Sequence, residues 1–480
     1  MTKTNKRNLF KAGIGYTIGN YLLKGAAFIT TPIFARLMTR ADYGKYSVFV
    51  SYESIFFVVI GLAIHSSYKN AYHKFRDENN PENELGYQKY LSATMCFLLI
   101  SFVFWLILAV IFNDQLSNLL GIDKQLLWIL VAGSMITEIM NCYSADKGIH
   151  FQYKSILIIS AISTIASVSL SLLFINTVFS KCMYMGRILG HFIPTTIVYG
   201  FIAFKYLFRV DPKGMWSALR WGIGYSLPIV PHGISQVILT QFDRIMILRL
   251  IGDTEAGIYS FAYTIYTMLA VTASSIDGIW SPWFYEQRKN NNSKAIYRGS
   301  TIYILIIFLS SIAVISFAPE LIWVLGGEKY RDAIYCAIPV VAGGFFAGIY
   351  NVPCLVEYYH EKTKLIAIST VSAASLNIVL NAIFIKRFGY VAAAYTTLLT
   401  YIIYFGAHYV MAKKIEGKDL FPLKLILACA LILGCSMAIS LVFISNIFIR
   451  VEWLVILFVF ALQYEEKHFS YIKALIKRMK

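Results

Sequence analysis

The chain has 480 residues, 58% of them hydrophobic and only 14% charged, with a mean hydropathy of +0.62. A soluble protein of this size needs far more charge to cover its surface, so the composition points to a polytopic membrane protein. The formal net charge of +17 sits in short basic clusters between apolar runs, the pattern that marks cytoplasmic loops, and this argues against a nucleic acid partner.

The chain opens on the basic stretch MTKTNKRNLFK, followed by a long apolar segment that leads straight into another. That order fits a first transmembrane helix rather than a cleavable signal. About 20 apolar residues cross the hydrocarbon core. On that criterion spans are predicted near 10–37, 43–66, 90–113, 125–145, 155–176, 183–205, 218–248, 255–284, 299–319, 332–357, 364–385, 390–412, 424–446 and 451–464, about fourteen in all. Alternate connections carry the Lys and Arg: Lys69, Lys74 and Arg76, then Lys147 and Lys154, then Lys205, Arg209 and Lys213, and so on to the tail from Lys467 to Lys480. A missed span would scramble this alternation, so the count is even and both termini are expected in the cytoplasm. All connections are short and leave no room for a soluble domain. They carry no phosphate loop, dinucleotide fingerprint or His-Glu-x-x-His motif, and no cofactor is expected. The seven cysteines are scattered without a Cys-x-x-Cys pair, which argues against a disulfide framework or zinc site.

One corner is written twice. ARLMTRADYGKYS (Ala35–Ser47) and LRLIGDTEAGIYS (Leu248–Ser260) share Arg-Leu, six residues, Gly, any residue, Tyr-Ser, about 213 residues apart. The first ends span one and the second ends span seven. GIGY also recurs, at Gly13 and Gly222, near the start of the same two spans. Spans one and seven cross in the same direction, so the expected architecture is an all-α integral membrane protein of two six-helix halves. A parallel pseudo-twofold along the membrane normal relates them, with two extra C-terminal helices. The boundaries are 1–208, 209–415 and 416–480. Arg36 and Arg249, each closing its helix, read as corner-makers at a helix C-terminus.

The RLMTRADYGKYS corner, VLGGEKYRDAIYCAIPVVAGGFFAGIYN (Val324–Asn351) and SLNIVLNAIFIKRFGYVAAAYTTLLTYIIYF (Ser375–Phe405) together resemble the polysaccharide flippases of the Wzx type. These belong to the multidrug/oligosaccharidyl-lipid/polysaccharide exporter superfamily with MATE-like architecture. The resemblance runs over nearly the whole chain. It implies a bacterial cytoplasmic membrane protein, not an enzyme, that flips a polyprenyl-(di)phosphate-linked repeat unit from the inner to the outer leaflet for O-antigen, capsule or exopolysaccharide assembly. It also implies polysaccharide polymerase and export proteins as partners, and leaves H+ or Na+ coupling open.

Polar residues in mid-membrane are costly, about 2.5–3.5 kcal/mol for a charge at the helix centre, and usually face a cavity or a partner. Span one carries Asn20, Lys24 and Thr31 at helical spacing, a candidate wet wall, against a snorkelling lysine. Span seven carries His232, Gln236, Asp243 and Arg244, and Asp243 has either Arg244 or a neighbouring helix as its partner. Pro228 and Pro231 in the same span predict a kink. Glu53 in span two, Arg187 in span six, with His191 one turn on, and Asp277 in span eight complete the cavity candidates. Packing or an interfacial position is the alternative for Arg187 and the histidines. Asn377 and Asn381, one turn apart, read as glue between helices. Lys24, Arg244 and Arg187 suit a phosphate, which arginine and lysine bind through charge-assisted hydrogen bonds. Rival readings are an ion-coupled drug exporter of the same fold, a lipid II flippase, and a membrane glycosyltransferase or polymerase. The last is disfavoured by the short external loops.

Overall fold

The computed structural model describes residues 30–77, 80, 83–209 and 215–468. Among these residues there is no strand. After a helical stretch at 30–37 (α1), the elements are α2 (Arg40–Gly61), α3 (Tyr68–Phe75), α4 (Leu85–Ile111), α5 (Asn113–Leu120), α6 (Lys124–Ile149), α7 (Tyr153–Asn176), α8 (Met183–Leu207), α9 (Trp216–Ser226) and α10 (Val230–Leu250). They continue as α11 (Asp253–Lys289), α12 (Ser293–Gly326), α13 (Ile334–Ile349), α14 (Asn351–Tyr359), α15 (Thr363–Phe388), α16 (Val391–Glu416), α17 (Leu423–Val442) and α18 (Ile447–His468). An all-helical fold follows from the solvent, since a helix satisfies its own backbone where lipid cannot. The chain forms two compact units, Met1–Gly257 and Ile258–Lys480.

Nine of the described helical segments are long and apolar enough to cross a bilayer, ten if the bent pair Arg40–Gly61 and Ile64–Phe75 is one span. The segments α10, α16 and α18, also expected as spans, are helical but stand outside that group, so the figure of fourteen remains a reading of the sequence. α7 shows the lipid face most plainly. Ile158, Ile162 and Ile165 on one side are more than half exposed, while Ser163, Ser167 and Ser171 on the other are buried. Those serines face α8, where a side chain on Gly190 would run into Ser171 and one on Gly186 into Ile175. Small residues on both helices let the backbones approach, the usual way helices associate in lipid.

The repeated corner is built from an N-cap and a glycine contact. Thr39 caps α2: its Oγ1 accepts the Asp42 N–H at 3.0 Å and donates to Asp42 Oδ2 at 2.6 Å. The second copy breaks at Ile251–Gly252, with Arg249 in the last turn of α10 as expected. The two corners meet. A Cβ on Gly44 would strike the Asp253 carbonyl and lie 2.8 Å from Gly257 N, and a Cβ on Gly257 would strike the Arg40 carbonyl. Lys45 reaches Asp253 beside them, at 3.3 Å.

The expected kink of span seven falls at a 3-10 turn between two α-helices, with the residues that bound the turn all in the right-handed helical region. α9 stops at Ser226, a 3-10 turn with Pro228 covers Leu227–Ile229, and α10 restarts with Pro231 in its first turn. Proline lacks the N–H an unbroken helix would need there, and is well tolerated where a helix begins. A sharper bend was not foreseen. After Gly61, Leu62 and Ala63 both adopt left-handed backbone (φ 49° and 50°), and the chain turns by 56° into α3.

Candidate functional site

Within the first unit, α2, α6 and α8 enclose a cavity of about 90 Å³. α2 presents Tyr46, Phe49, Val50 and Glu53, spaced by three, four and seven residues and so on one face. α6 contributes Gly133 and Thr137, and α8 contributes Ile188, His191 and Thr195. Glu53 is held rather than loose: Thr137 Oγ1 donates to its Oε1 at 2.7 Å. A carboxylate and an imidazole thus face a largely apolar space, and the sequence reading placed both on spans without linking them.

Arg187 lies one turn of α8 from His191. The close α7–α8 approach brings Ser171 to it, and Nη1 donates to Ser171 Oγ at 2.9 Å. The guanidinium stacks 3.9 Å above the Phe34 ring and 5.2 Å from that of Tyr46. Tyr46 is the tyrosine of the first repeated corner. Such contacts contribute about 0.5–2 kcal/mol each, more when desolvated. Among the described residues Arg187 Nε is buried without a hydrogen-bond partner, which costs about 1–3 kcal/mol. The group is held in place by ring faces and one serine while part of its donor set stays unspent. That is a geometry suited to an oxyanion or a sugar hydroxyl.

Of the other expected cavity residues, Lys24 and Asn20 lie outside the described residues. Thr31, on α1, is half-buried. α10 packs along α2 and carries His232 and Gln236, both half-buried, and Asp243 and Arg244, both buried. Arg244 donates to the Thr240 carbonyl at 3.0 Å and to Gln241 Oε1, and Ser51 of α2 lies 3.5 Å from the same Gln241 oxygen. Asp277 belongs to the second unit. There Tyr303 Oη lies 2.6 Å from its Oδ1 and Asn351 Nδ2 donates at 3.0 Å. Asn377 and Asn381 bond to one another at 3.1 Å, Asn377 also to Thr397, and Thr396 to Asn381, which makes them glue between α15 and α16.

Two features were missed. Glu138, fully buried on α6, crosses over Gly61, where a Cβ would collide with it. It accepts the His65 N–H at 3.1 Å and faces His65 Nδ1 at 2.9 Å, so a carboxylate of one helix fastens the bend after α2. In the second unit Glu357 of α14 pairs with His408 of α16 at 2.6 Å, both fully buried. Glu138 and His408 read from the sequence as polar residues on spans and Glu357 as one at the cytoplasmic rim, but nothing in the spacing joined each to its partner.

The sequence model of one family, described as polysaccharide biosynthesis protein, matches residues 9–288, more than half of the chain. The chain belongs to the polysaccharide biosynthesis protein family. The chain is also similar to putative protein 1 of the Lsg locus of Haemophilus influenzae, 21% identical over 422 residues, a span of 83% of this chain and 97% of that one. Among solved structures, the inward closed conformation of the lipid II flippase MurJ superposes with a TM-score of 0.76. It covers 95% of this chain and 99% of that one at 16% identity. An inward-facing multidrug resistance MATE family transporter of the MOP superfamily follows at a TM-score of 0.61, covering 82% and 99% at 13% identity. This member of the polysaccharide biosynthesis family therefore has the MATE-like helical fold that the sequence resemblance implied, and shares it with MurJ.

Proposed function

We propose that this protein is a flippase for a polyprenyl-(di)phosphate-linked oligosaccharide, moving the repeat unit from the inner to the outer leaflet of a bacterial cytoplasmic membrane. The observation that carries the reading is the coincidence of two likenesses. The chain is a polysaccharide biosynthesis family member, and 95% of it shares the fold of a protein named as a lipid II flippase. The site chemistry agrees, because the half-buried Arg187 and the buried Arg244 are cations suited to a phosphate that must cross hydrocarbon. In this reading Lys24, Asn20, Thr31, His232 and Gln236 line the path with them. Residues 1–208 and 209–415 act as two six-helix halves that expose the path to each side in turn. Residues 416–480 add two helices and a cytoplasmic tail.

Glu53 and His191 on one cavity favour a second reading, an ion-coupled exporter, because a carboxylate in an apolar space binds cations or protons. In the flippase reading the same pair, with Asp243 and Asp277, supplies H+ or Na+ coupling. The two readings part in a host that lacks its own flippase. Restored surface polysaccharide with wild type, and its loss at equal membrane expression with Arg244→Ala and Lys24→Ala, supports the flippase. Drug resistance without polysaccharide, across several compatible repeat units, supports the exporter.

A further inference from the structure

The first unit holds a second, larger cavity, of about 980 Å³, away from the Glu53–His191 space. It forms between the bend after α2 and the turn from α6 to α7. Its walls carry His65, Lys69, His73, Arg76 and His150, and among the described residues no carboxylate lines it.

The basic wall is a consequence of the bend. α3 is short and two-faced: Tyr68 and Ala71 are buried, whereas Lys69 and His73, four residues apart, are exposed, and Arg76 follows one turn further. Without the left-handed pair Leu62–Ala63 these cations would continue up a straight span. With it they turn onto the cavity. The acids nearby are already engaged from behind. Glu138 holds His65 at 2.9 Å, and Glu84 holds His150 Nε2 at 3.1 Å while Tyr72 Oη donates to Glu84 at 3.1 Å. Lys69 makes no hydrogen bond or ion pair among the described residues, and the Arg76 guanidinium rests over the Tyr72 ring, 5.4 Å from its centroid. A stacked arginine and an unengaged lysine, in a recess with room for a headgroup, are the donors that phosphate oxygens require.

The rim supplies the second half of the argument. Tyr153 lines the cavity and opens α7, the helix whose Ile158, Ile162 and Ile165 face lipid, and Phe151 beside it is 63% exposed. The recess therefore opens next to an apolar, bilayer-facing surface. Its connections are ones whose charges place them on the cytoplasmic side, where basic pockets recognise anionic headgroups.

We infer that this cavity is a binding site for the phosphate or diphosphate group of a membrane lipid, with Lys69 and Arg76 as its principal ligands. The inference rests on the flippase reading only in its choice of lipid. The site would receive the headgroup on the cytoplasmic face, at a place distinct from the Arg187 region.

The test uses the full-length protein in phosphatidylcholine nanodiscs, titrated in separate arms with polyprenyl diphosphate in mixed micelles and with inorganic diphosphate. The expected result is saturable binding of the lipid, competed by inorganic diphosphate and weakened at least tenfold in Lys69→Ala/Arg76→Ala, with unchanged affinity in Lys424→Ala. Both substituted side chains line an open recess, so the melting midpoint of the double variant should match wild type. A double variant that melts early is replaced by Lys69→Gln and Arg76→Gln singly, each expected to weaken binding. Equal lipid affinity in wild type and folded variants overturns the site and leaves the flippase reading standing. Binding of inorganic diphosphate without the lipid overturns the lipid source, and binding of neither overturns the site. Translocation, assayed separately, decides the flippase reading in every case.

Discussion

Gly44 and Gly257, the glycines of the two copies of the repeated corner, pack against each other's backbone, and neither has room for a Cβ. The corner is written twice because each copy is the surface the other rests on. Thr39 sets where α2 starts, Gly44 lets α11 pass, Gly257 returns the favour, and Lys45 reaches Asp253 beside the crossing.

Gly44→Ala and Gly257→Ala are each expected to destabilise the protein by about 1–3 kcal/mol through overpacking against backbone that cannot rotate away. Gly406→Ala, where an added Cβ meets nothing within 4 Å in the middle of α16, is the control and should be neutral or slightly stabilising. Thermal midpoints in detergent check this. Equal midpoints for all three would remove the crossing as an organising contact.

Glu138→Ala should cost about 1.5–3 kcal/mol, the range for a hydrogen bond to a charged acceptor, because it strips the bend after α2 of the carboxylate that holds His65. Glu138→Gln keeps an acceptor for the His65 N–H and should cost less. Amide exchange over residues 62–68 distinguishes the local effect: faster exchange there in the Ala variant, with α2 itself unchanged, is the expected pattern.

Much of this fold was open to reading from sequence, because lipid imposes its own grammar. Uninterrupted apolar runs gave most helices, and Pro228 with Pro231 announced the 3-10 turn between α9 and α10. The bend at Leu62–Ala63 was not legible, since neither residue is a glycine or proline and what fastens it is Glu138, more than seventy residues away. The same limit hid the basic recess. Lys69, His73 and Arg76 read as ordinary cytoplasmic loop charges, and only the fold sets His150 across from them. Of the expected cavity residues, Glu53 and Arg187 come to neighbouring positions along α2 and α8 through Tyr46, whereas Asp277 belongs to the second unit's own network.

Arg187→Lys is expected to lower transport at least tenfold despite keeping the charge. A lysine cannot stack flat on Phe34 while donating to Ser171, so the cation would lose its fixed aim. Ser171→Ala, which removes one hydrogen bond but keeps the small residue that α8 packs on, should cost transport less than Arg187→Lys. A transport rate at matched membrane expression is the readout, and a fully active Arg187→Lys variant would assign Arg187 to packing.

Asn381→Ala should lower stability by about 0.6–2 kcal/mol, the range for hydrogen bonds between membrane helices, while leaving the rate per folded molecule unchanged. Comparing the melting midpoint with transport corrected for folded protein separates these effects. A rate that falls with no loss of stability would move Asn381 from glue to substrate path.

The most direct test of the account is the leaflet in which the lipid-linked glycan resides. Purified protein is reconstituted into vesicles loaded with a polyprenyl-diphosphate-linked oligosaccharide, and the glycan accessible to an impermeant lectin is followed over time. The account predicts that wild type moves the inner-leaflet pool to the accessible side, and that Arg187→Ala and Arg244→Ala, equally folded, slow this at least tenfold. Vesicles in which folded wild-type protein leaves the inner pool untouched, across several glycans and with imposed H+ and Na+ gradients, would contradict it.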